Sequence, residues 1–289
     1  MGLAVSGGSD SMALLALAQD LMNDRIEVAT VDHGLRPEAS EECALVERVC
    51  RARGIPCRIL EVHVAEGNVQ DRARAARYAA FGAWAAERKL AAIATAHHAD
   101  DQAETLLMRL NRGSGLSGLA GIRSCTVMEG CPVPIMRPLL DFRKSELLQI
   151  VQDLGLPFVE DPSNRDASFD RVRIRRELER ADWIDPRALA QSAAHLEEAE
   201  RTLQSVADRL WDSKASVGEA RVAMPVTAWH DISARLVTRA IETLGGNVSR
   251  GEVISFLKTF GKRGNIAGVL IEQMEDFYVC TPEPPRRGG

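Results

Sequence analysis

The feature that most constrains the fold is a glycine- and serine-rich turn that joins a short apolar run to a helical run near the start of the sequence. Residues 3–5 are apolar, residues 6–11 read SGGSDS, and residues 11–21 have helical periodicity. Glycines let a backbone approach an anion closely, and the free N–H groups and dipole of a helix start attract negative charge. The turn therefore predicts a phosphate-binding loop. Its six members are Ser6, Gly7, Gly8, Ser9, Asp10 and Ser11.

Strand-like and helix-like segments alternate after this turn. Strand-like runs occupy residues 26–31, 57–64 and 90–94, and helical runs occupy residues 40–53, 69–89 and 100–112. Residues 137–158 predict a short strand and then a helix that begins at Asp141 or Ser145. The alternation predicts an α/β fold with a doubly wound, mainly parallel sheet. Such sheets bind ligands beyond the carboxyl ends of their strands, which is where the SGGSDS turn is expected.

The composition changes near residue 180, where long amphipathic segments replace the alternation. Helical patterns cover residues 186–214, 229–244 and 250–260, and residues 268–280 predict a hairpin. We therefore expect a catalytic domain at residues 1–182 and a smaller, mainly helical domain at residues 183–289 that ends in the hairpin.

Composition and charge exclude several classes of protein. The net charge of -5 means that any nucleic-acid binding must come from local basic patches. The six cysteines form no CxxC pair, so neither a zinc knuckle nor a dithiol redox motif is present. No apolar run has membrane-spanning length and no basic leader precedes the first strand, so we expect a cytoplasmic protein without a membrane partner.

The loop does not match the two best-known nucleotide-binding turns. It lacks the lysine of the P-loop of Walker type, and its glycines do not follow the GxGxxG pattern of dinucleotide-binding folds. The alternative that stays open is an ordinary strand-to-helix turn capped by Ser9 or Ser11.

Two further motifs place titratable groups near the same edge of the predicted sheet. Asp32 and His33 follow the second strand in VDHGLRPEAS. His97, Asp101 and Glu104 follow the fourth strand in HHADDQAET and share one face of a helix. Asp101 suits Mg²⁺, which prefers carboxylates together with phosphate oxygens. Two alternatives stay open, namely a metal hydrolase built on the His/Asp cluster and an Asp32 that only caps its turn.

The SGGSDS loop resembles that of the N-type ATP pyrophosphatases, the PP-loop superfamily. Over residues 4 to about 178 the sequence resembles the tRNA(Ile)-lysidine synthetase family more closely, through several motifs in order. These are SGGSDS, DHGLRPEAS, RARAARY, HHADDQAET, RLNRGSGLSGLAGI, RPLLDFRK, EDPSNRDASFDR and RIRREL. One departure is Val172, which stands where the family's RNxIR motif has asparagine.

The resemblance implies a ligase that forms a carbon–nitrogen bond in tRNA modification. Its expected cofactors are ATP and Mg²⁺, and its expected partners are free L-lysine and the tRNA(Ile) with a CAU anticodon. The C2 oxygen of the wobble cytidine attacks the α-phosphate of ATP, and the lysine ε-amine then displaces AMP to give lysidine. The product changes codon and amino-acid identity from methionine to isoleucine. The resemblance also implies that the domain at residues 183–289 binds this tRNA. The sequence leaves open whether the protein forms a homodimer.

The chemistry and the resemblance together assign roles to individual residues. Amine attack requires an unprotonated lysine, which makes Asp32 the predicted proton acceptor. Asp101, as the Mg²⁺ ligand, and Arg173 complete the predicted catalytic set. The predicted lysine- and tRNA-binding residues are His33, Arg74, Arg77, His97, Glu104, Arg112, Arg171 and Arg175. For the arginines, the open alternative is a solvated helix face paired with neighbouring carboxylates.

Three other functions compete with this interpretation. A PP-loop tRNA thiolation enzyme needs catalytic cysteines or an iron–sulfur cluster, usually in CxxC-like pairs. A small-molecule PP-loop synthetase would lack the basic segments and the RGSG turn. A non-catalytic nucleotide-binding module would keep the glycines without Asp32, Asp101 and the arginine-rich segment.

Overall fold

The computed structural model describes residues 1–34, 38–62, 69–160 and 170–283. The chain separates into two compact units, Met1–Leu196 and Glu197–Gly289. The domain boundary expected after residue 182 stays a prediction. Parts of two family motifs, at residues 35–37 and 161–169, and the end of the strand expected at residues 57–64 lie outside the described residues.

The first unit alternates strands and helices, as the sequence pattern predicts. Its strands are β1 (Gly2–Ala4), β2 (Glu27–Asp32), β3 (Cys57–Glu61), β4 (Ile93–Ala94), β5 (Cys125–Met128) and β6 (Cys131–Met136). Its helices are α1 (Ser9–Met22), α2 (Glu38–Ala52), α3 (Val69–Arg88), α4 (Ala99–Asn111), α5 (Leu116–Leu119), α6 (Lys144–Asp153) and α7 (Asp170–Arg180), with a 3-10 turn at Asn23–Arg25.

The strands form one six-stranded sheet in the order β3-β2-β1-β4-β6-β5. All pairs are parallel except β5 with β6, and the register places Leu3 beside both Val28 and Ala94. The strand order reverses at β1, and a crevice for ligands forms at such a switch point. The predicted α/β fold with a doubly wound, mainly parallel sheet is confirmed.

The central strands are short but buried, which explains their wholly apolar sequences. Leu3, Ile93 and Ile135 are each at most 1% exposed. On one side Leu3 packs against the apolar residues of α1, and the aromatic side chains of α3 form a second cluster with Ile93 and Ile135. Strands buried on both faces need no polar alternation.

The hairpin of β5 and β6 corrects the expectation of a strand at residues 137–140, because β6 ends at Met136. Pro132 and Pro134 lie within β6, and proline lacks the N–H that a sheet needs. The registered pairs of β6 use Cys131, Ile135 and Met136 and so avoid both prolines. The capped helix expected after the strand is α6, which begins at Lys144.

The second unit combines helices with an antiparallel sheet. It contains the end of α8 (Pro186–Lys214), α9 (His230–Thr243), α10 (Arg250–Thr259), β7 (Ser216–Val217), β8 (Val222–Pro225), β9 (Arg263–Ile266), β10 (Val269–Met274) and β11 (Phe277–Pro282). The strand order is β7-β8-β11-β10-β9. The predicted hairpin is the pair β10 and β11, and the three other strands extend it. Across the described part of the chain, no helix has the length and apolar character needed to cross a membrane.

Candidate active site

The SGGSDS loop connects β1 to α1 and is closed by its own hydroxyl groups. Gly7 has φ +87°, a conformation that favours glycine, and its carbonyl accepts a hydrogen bond from the N–H of Val159 at 2.9 Å. The Ser11 hydroxyl donates to the Gly8 carbonyl at 2.9 Å and accepts from the N–H of Ser6 at 3.1 Å. Gly8 is the N-cap of α1 and has no side-chain cap, so the first N–H groups of the helix are left to bind an anion.

Two adjoining cavities open at the carboxyl ends of the strands, and residues of this loop line both of them. The β4 cavity, of about 440 Å³, reaches Thr95, His97 and Tyr78. The α2 cavity, of about 640 Å³, reaches Glu42 and Cys43. The residues that line both cavities are Ser6, Gly8, Asp10, Val31, His33 and Arg77. The predicted phosphate loop therefore lines two adjoining, ligand-sized spaces.

His98 ties the phosphate loop to the start of α4, and the sequence analysis missed it. Its Nδ1 accepts from the N–H of Asp101 at 3.3 Å, and Asp101 accepts from the N–H of His98 at 3.1 Å, which makes a capping box. Its Nε2 lies 3.5 Å from an Asp10 carboxylate oxygen. Burial alone would lower the pKa of His98, but Asp10, Asp101 and Asp100 raise it. The available signal was an imidazole at the N-cap position, three residues before an aspartate.

An ion network joins α4 to α7 beside the β4 cavity. Arg171 donates to Asp101 at 2.7 Å and to Glu104 at 2.6 Å, and Arg175 donates to Glu104 at 2.5 Å. The Glu104 side chain is 1% exposed, whereas that of Arg171 is 41% exposed. Glu104, which the sequence predicted to bind substrate, thus holds two arginines in place through its buried carboxylate. Asp101 and Arg171 line the cavity.

His97 presents an imidazole to the β4 cavity. Its Nδ1 is hydrogen-bonded to the Thr95 hydroxyl at 2.9 Å, which fixes the ring. Burial, followed by the charges of Arg137 and Arg171, lowers the pKa of His97 to about 4 against the opposing effect of Asp101. The ring is therefore neutral at physiological pH.

Asp32 is the last residue of β2, at the carboxyl end of the strand, and its carboxylate accepts hydrogen bonds from the turn and helix that follow. It accepts from the N–H of Gly34 at 2.9 Å and from the Ser40 hydroxyl at 2.7 Å, and these bonds lower its pKa. The neighbouring His33 lines both cavities, whereas Asp32 does not line either of them. The catalytic role of Asp32 stays a prediction.

The predicted arginines occupy three different environments. Arg77 lines both cavities, and Arg74 lies with its guanidinium carbon 5.0 Å from the centre of the Tyr78 ring. Arg175 lines the α2 cavity. Arg112 follows α4 on the surface, next to a glycine with positive φ. Arg173 lies on an exposed part of α7 and lines neither cavity, so its catalytic role stays a prediction.

The carboxylates near the loop fit a magnesium ion that arrives with phosphate. Asp10 and Asp101 line the β4 cavity together and both approach His98. Among the described residues, no group of three or more His, Cys, Asp or Glu side chains forms a metal cluster. Mg²⁺ commonly takes one or two carboxylates and completes its shell with phosphate oxygens and water. The donor set therefore suits Mg²⁺ bound to a nucleotide better than a resident zinc ion.

Comparison with known proteins identifies the family of this chain. The PP-loop domain family matches residues 1–181. A tRNA(Ile)-lysidine synthase of Novosphingobium aromaticivorans is 45% identical, with an alignment that covers 99% of this chain and 89% of that relative. A tRNA(Ile)-lysidine synthase of Zymomonas mobilis is 41% identical with the same coverage of both chains.

Among solved structures, a U34-tRNA thiolase of Methanococcus maripaludis with a 4Fe-4S cluster has the same fold. Its TM-score is 0.57 at 18% identity, and the match covers 68% of this chain and 70% of that one. This likeness concerns the fold alone, whereas the sequence relatives match almost the whole chain. The chain belongs to the PP-loop family and, within it, to the tRNA(Ile)-lysidine synthases.

Proposed function

We propose that this ligase joins free L-lysine to C2 of the wobble cytidine of a tRNA(Ile) with a CAU anticodon and consumes ATP. The observation that carries the proposal is the SGGSDS loop lining two adjoining cavities at the carboxyl ends of the strands. A phosphate loop in that place can hold the nucleotide in one cavity while a second substrate occupies the other. The names of the relatives support lysine and tRNA(Ile) as the substrates.

In the first step, the cytosine C2 oxygen attacks the α-phosphate of ATP and pyrophosphate leaves. Transfer of this kind depends on positioning and on neutralising phosphate charge. The N–H and hydroxyl groups of residues 6–11 bind the departing phosphates, and Arg171 brings positive charge to the same cavity. Mg²⁺ supplies further neutralisation when it is bound, and Asp10 and Asp101 are the carboxylates that would hold it.

In the second step, the lysine ε-amine attacks C2 of the adenylated cytidine and expels AMP. The amine must first lose a proton, for which Asp32 is the predicted acceptor and His97 a competing one. Asp32 lines neither cavity, and its hydrogen bonds with Gly34 and Ser40 lower its pKa, which makes it a weaker base. His97 already lines the β4 cavity, and the negative charge of a nucleotide would raise its pKa towards neutrality.

Recognition of the RNA is assigned to exposed basic groups around the cavities. Arg74 and Arg112 are exposed, and arginine binds phosphate through paired N–H donors. We place the reaction in the cytoplasm, together with its tRNA substrate. A homodimer stays a prediction.

The decisive experiment separates the two steps. Unmodified tRNA(Ile) with a CAU anticodon is mixed with ATP and Mg²⁺, pyrophosphate release is followed with and without lysine, and the nucleoside is identified by mass spectrometry. A variant of the proton acceptor should still release pyrophosphate in the first turnover but lose about 10²- to 10⁴-fold in lysidine formation. Asp32→Asn and His97→Asn are compared, and the variant with that pattern identifies the acceptor.

Two outcomes would overturn the proposal. A requirement for a sulfur donor in place of lysine would favour thiolation. Failure to consume ATP with any tRNA would leave a PP-loop protein without ligase activity.

A further inference from the structure

Asp100 joins the start of α4 to the start of α6 through its carboxylate. The Arg143 side chain donates to it through Nε at 3.1 Å and through Nη2 at 2.9 Å, and the N–H of Lys144 donates to it at 2.7 Å. A backbone hydrogen bond from the N–H of Ala99 to the carbonyl of Phe142, at 2.8 Å, closes the same junction. Burial alone would raise the pKa of Asp100, but the hydrogen bonds from Arg143 and Lys144 lower it. The carboxylate is therefore ionised at neutral pH.

The junction fixes where α6 begins, and α6 begins beside the phosphate loop. Leu147 of α6 and Leu15 of α1 are fully buried in one apolar cluster, so the two helices pack together. Lys144, the first residue of α6, lines the α2 cavity together with four residues of the SGGSDS loop. Asp100 and Arg143 line neither cavity. Of the three residues in this ion and hydrogen-bond junction, Lys144 is therefore the one that reaches the site.

The arginine and lysine side chains that line the α2 cavity differ in what holds them. Arg175 donates to the buried Glu104 carboxylate, and the guanidinium carbon of Arg77 lies 5.8 Å from the centre of the Tyr78 ring. Within the described part of the chain, the Lys144 ammonium group forms no hydrogen bond and no ion pair. The positive charge of Lys144 is therefore available to an anion in the cavity.

A lysine in this cavity needs a fixed backbone, because carboxylates line the cavity as well. The acidic residues among its lining are Asp10, Glu42, Glu160 and Glu179. Lysine carries a compact charge on a flexible four-carbon stem, so the groups it can reach depend on where its backbone is held. Asp100 binds α6 at the N–H of Lys144 itself. The carboxylate that joins the two helices thus also places the lysine.

We propose that Asp100 is a positioning residue that holds Lys144 at the α2 cavity, where the Lys144 ammonium group binds the β and γ phosphates of ATP in the first step. The inference rests on the proposed function, since it takes the anion at the loop to be ATP. Lys144 shares its cavity with the loop that binds the departing phosphates, and a cation there opposes the negative charge that builds up on pyrophosphate. Asp100 lines neither cavity and therefore acts through Lys144.

The test is a double-mutant cycle of Lys144→Met and Asp100→Asn, read as equilibrium binding of ATP and of AMP with Mg²⁺ and without tRNA. Lys144→Met should weaken ATP binding by about 10- to 100-fold, as expected when one hydrogen bond to a charged group is lost, and should leave AMP binding unchanged. Asp100→Asn should weaken ATP binding by about 3- to 10-fold and leave AMP binding unchanged. The double variant should bind ATP no more weakly than Lys144→Met alone, because both changes remove one interaction.

Arg187→Met is the matched control for the start of α6. Arg187 pairs with Glu146 in the first turn of this helix, but both side chains are exposed and neither lines a cavity. This variant should bind ATP as the wild type does. The control therefore separates the position of Lys144 from the general stability of the helix start.

Unchanged ATP binding by Lys144→Met would overturn the phosphate contact, as would an equal weakening of ATP and AMP. Multiplicative losses in the double variant, or an Asp100→Asn that loses thermal stability but no ATP affinity, would overturn the positioning role. If Asp100→Asn does not fold, Arg143→Met replaces it in the cycle, because Arg143 is the other side chain of the junction, and the same outcomes decide. Lysidine formation by the wild type separates the two proposals. An inactive wild type that binds ATP overturns the proposed function, whereas an active wild type with normal ATP affinity in Lys144→Met overturns only the role of Lys144.

Discussion

Two arginine–carboxylate clusters, one in each unit, use the same chemical groups but bury opposite charges. In the first unit the Glu104 carboxylate is 1% exposed, and Arg171 and Arg175 close over it from α7. In the second unit the Arg235 side chain is 2% exposed, and the carboxylates of Glu200 and Asp231 close around it.

The difference decides what each cluster can do. A buried carboxylate orients its arginines, and their outer N–H groups remain available to a ligand anion, as Arg171 shows by lining the β4 cavity. A buried arginine surrounded by carboxylates is neutralised within the protein. Arg235 donates to Glu200 and to Gln204, and Arg250 donates to the same Glu200 carboxylate. Of these two clusters, the one with the buried acid therefore has arginine donors that face a cavity, and the one with the buried arginine is neutralised within the protein.

The largest effect is expected when the buried charge itself is removed. Glu104→Gln leaves two arginines without their anchor and should cost about 3–5 kcal/mol of unfolding free energy. Because the α7 arginines then lose their orientation, activity per folded molecule should fall too. Denaturant unfolding and the lysidine assay on the same samples measure both quantities.

The counterpart variant is Arg235→Met in the second unit. It should cost a similar free energy of unfolding but leave the activity of the folded protein unchanged. Equal activity losses in the two variants would contradict the functional distinction between the clusters.

The next effect concerns the outer face of the first cluster. Arg171→Met removes a group that lines the cavity and pairs with Asp101 and Glu104, but Arg175 still pairs with Glu104, so the unfolding free energy should fall by less than in Glu104→Gln. Pyrophosphate release should fall by about 10²- to 10³-fold, the usual loss when a preorganised donor to a charged transition state is removed. Arg180→Met on the same helix is the control, because Arg180 pairs only with the exposed Glu177 in the described structure. If Arg171→Met released pyrophosphate at the wild-type rate, the positive charge that assists the first step would belong to another residue of α7.

The sequence predicted this site well where function depends on backbone and on helical spacing. Gly7 and its neighbours define the loop because few residues tolerate a positive φ, and the i, i+3 spacing puts Asp101 and Glu104 on one face of α4. The alternation of apolar and helical runs likewise gave the parallel sheet. The expectation that His97 shares the helix face of Asp101 and Glu104 was wrong, because α4 begins at Ala99 and His97 lies before it.

What the sequence could not predict depends on contacts between distant segments. Nothing local shows that His98 approaches Asp10, or that Arg171 rather than Arg173 lines the cavity. The β5–β6 hairpin was missed because its prolines disfavour strands, and the structure accommodates them between its registered pairs.

The smallest effect is a pH dependence that should appear in the second cluster. Burial alone would raise the pKa of Glu200, but hydrogen bonds from Arg235 and Arg250 and their charges lower it to about 2. A carboxylate with a lowered pKa contributes stability above its unfolded-state pKa and loses that contribution as the pH falls towards the folded-state value. The unfolding free energy of the wild type should therefore decline between about pH 5 and pH 3, by at most about 1.4 kcal/mol per pH unit from this group. Glu200→Gln should be less stable at neutral pH, and its difference from the wild type should shrink over that range. Glu198→Gln, which changes an exposed carboxylate of the same helix, should follow the wild type. A constant difference between wild type and Glu200→Gln over this range would show that the arginines do not hold Glu200 ionised, and that the second cluster is not neutralised from within.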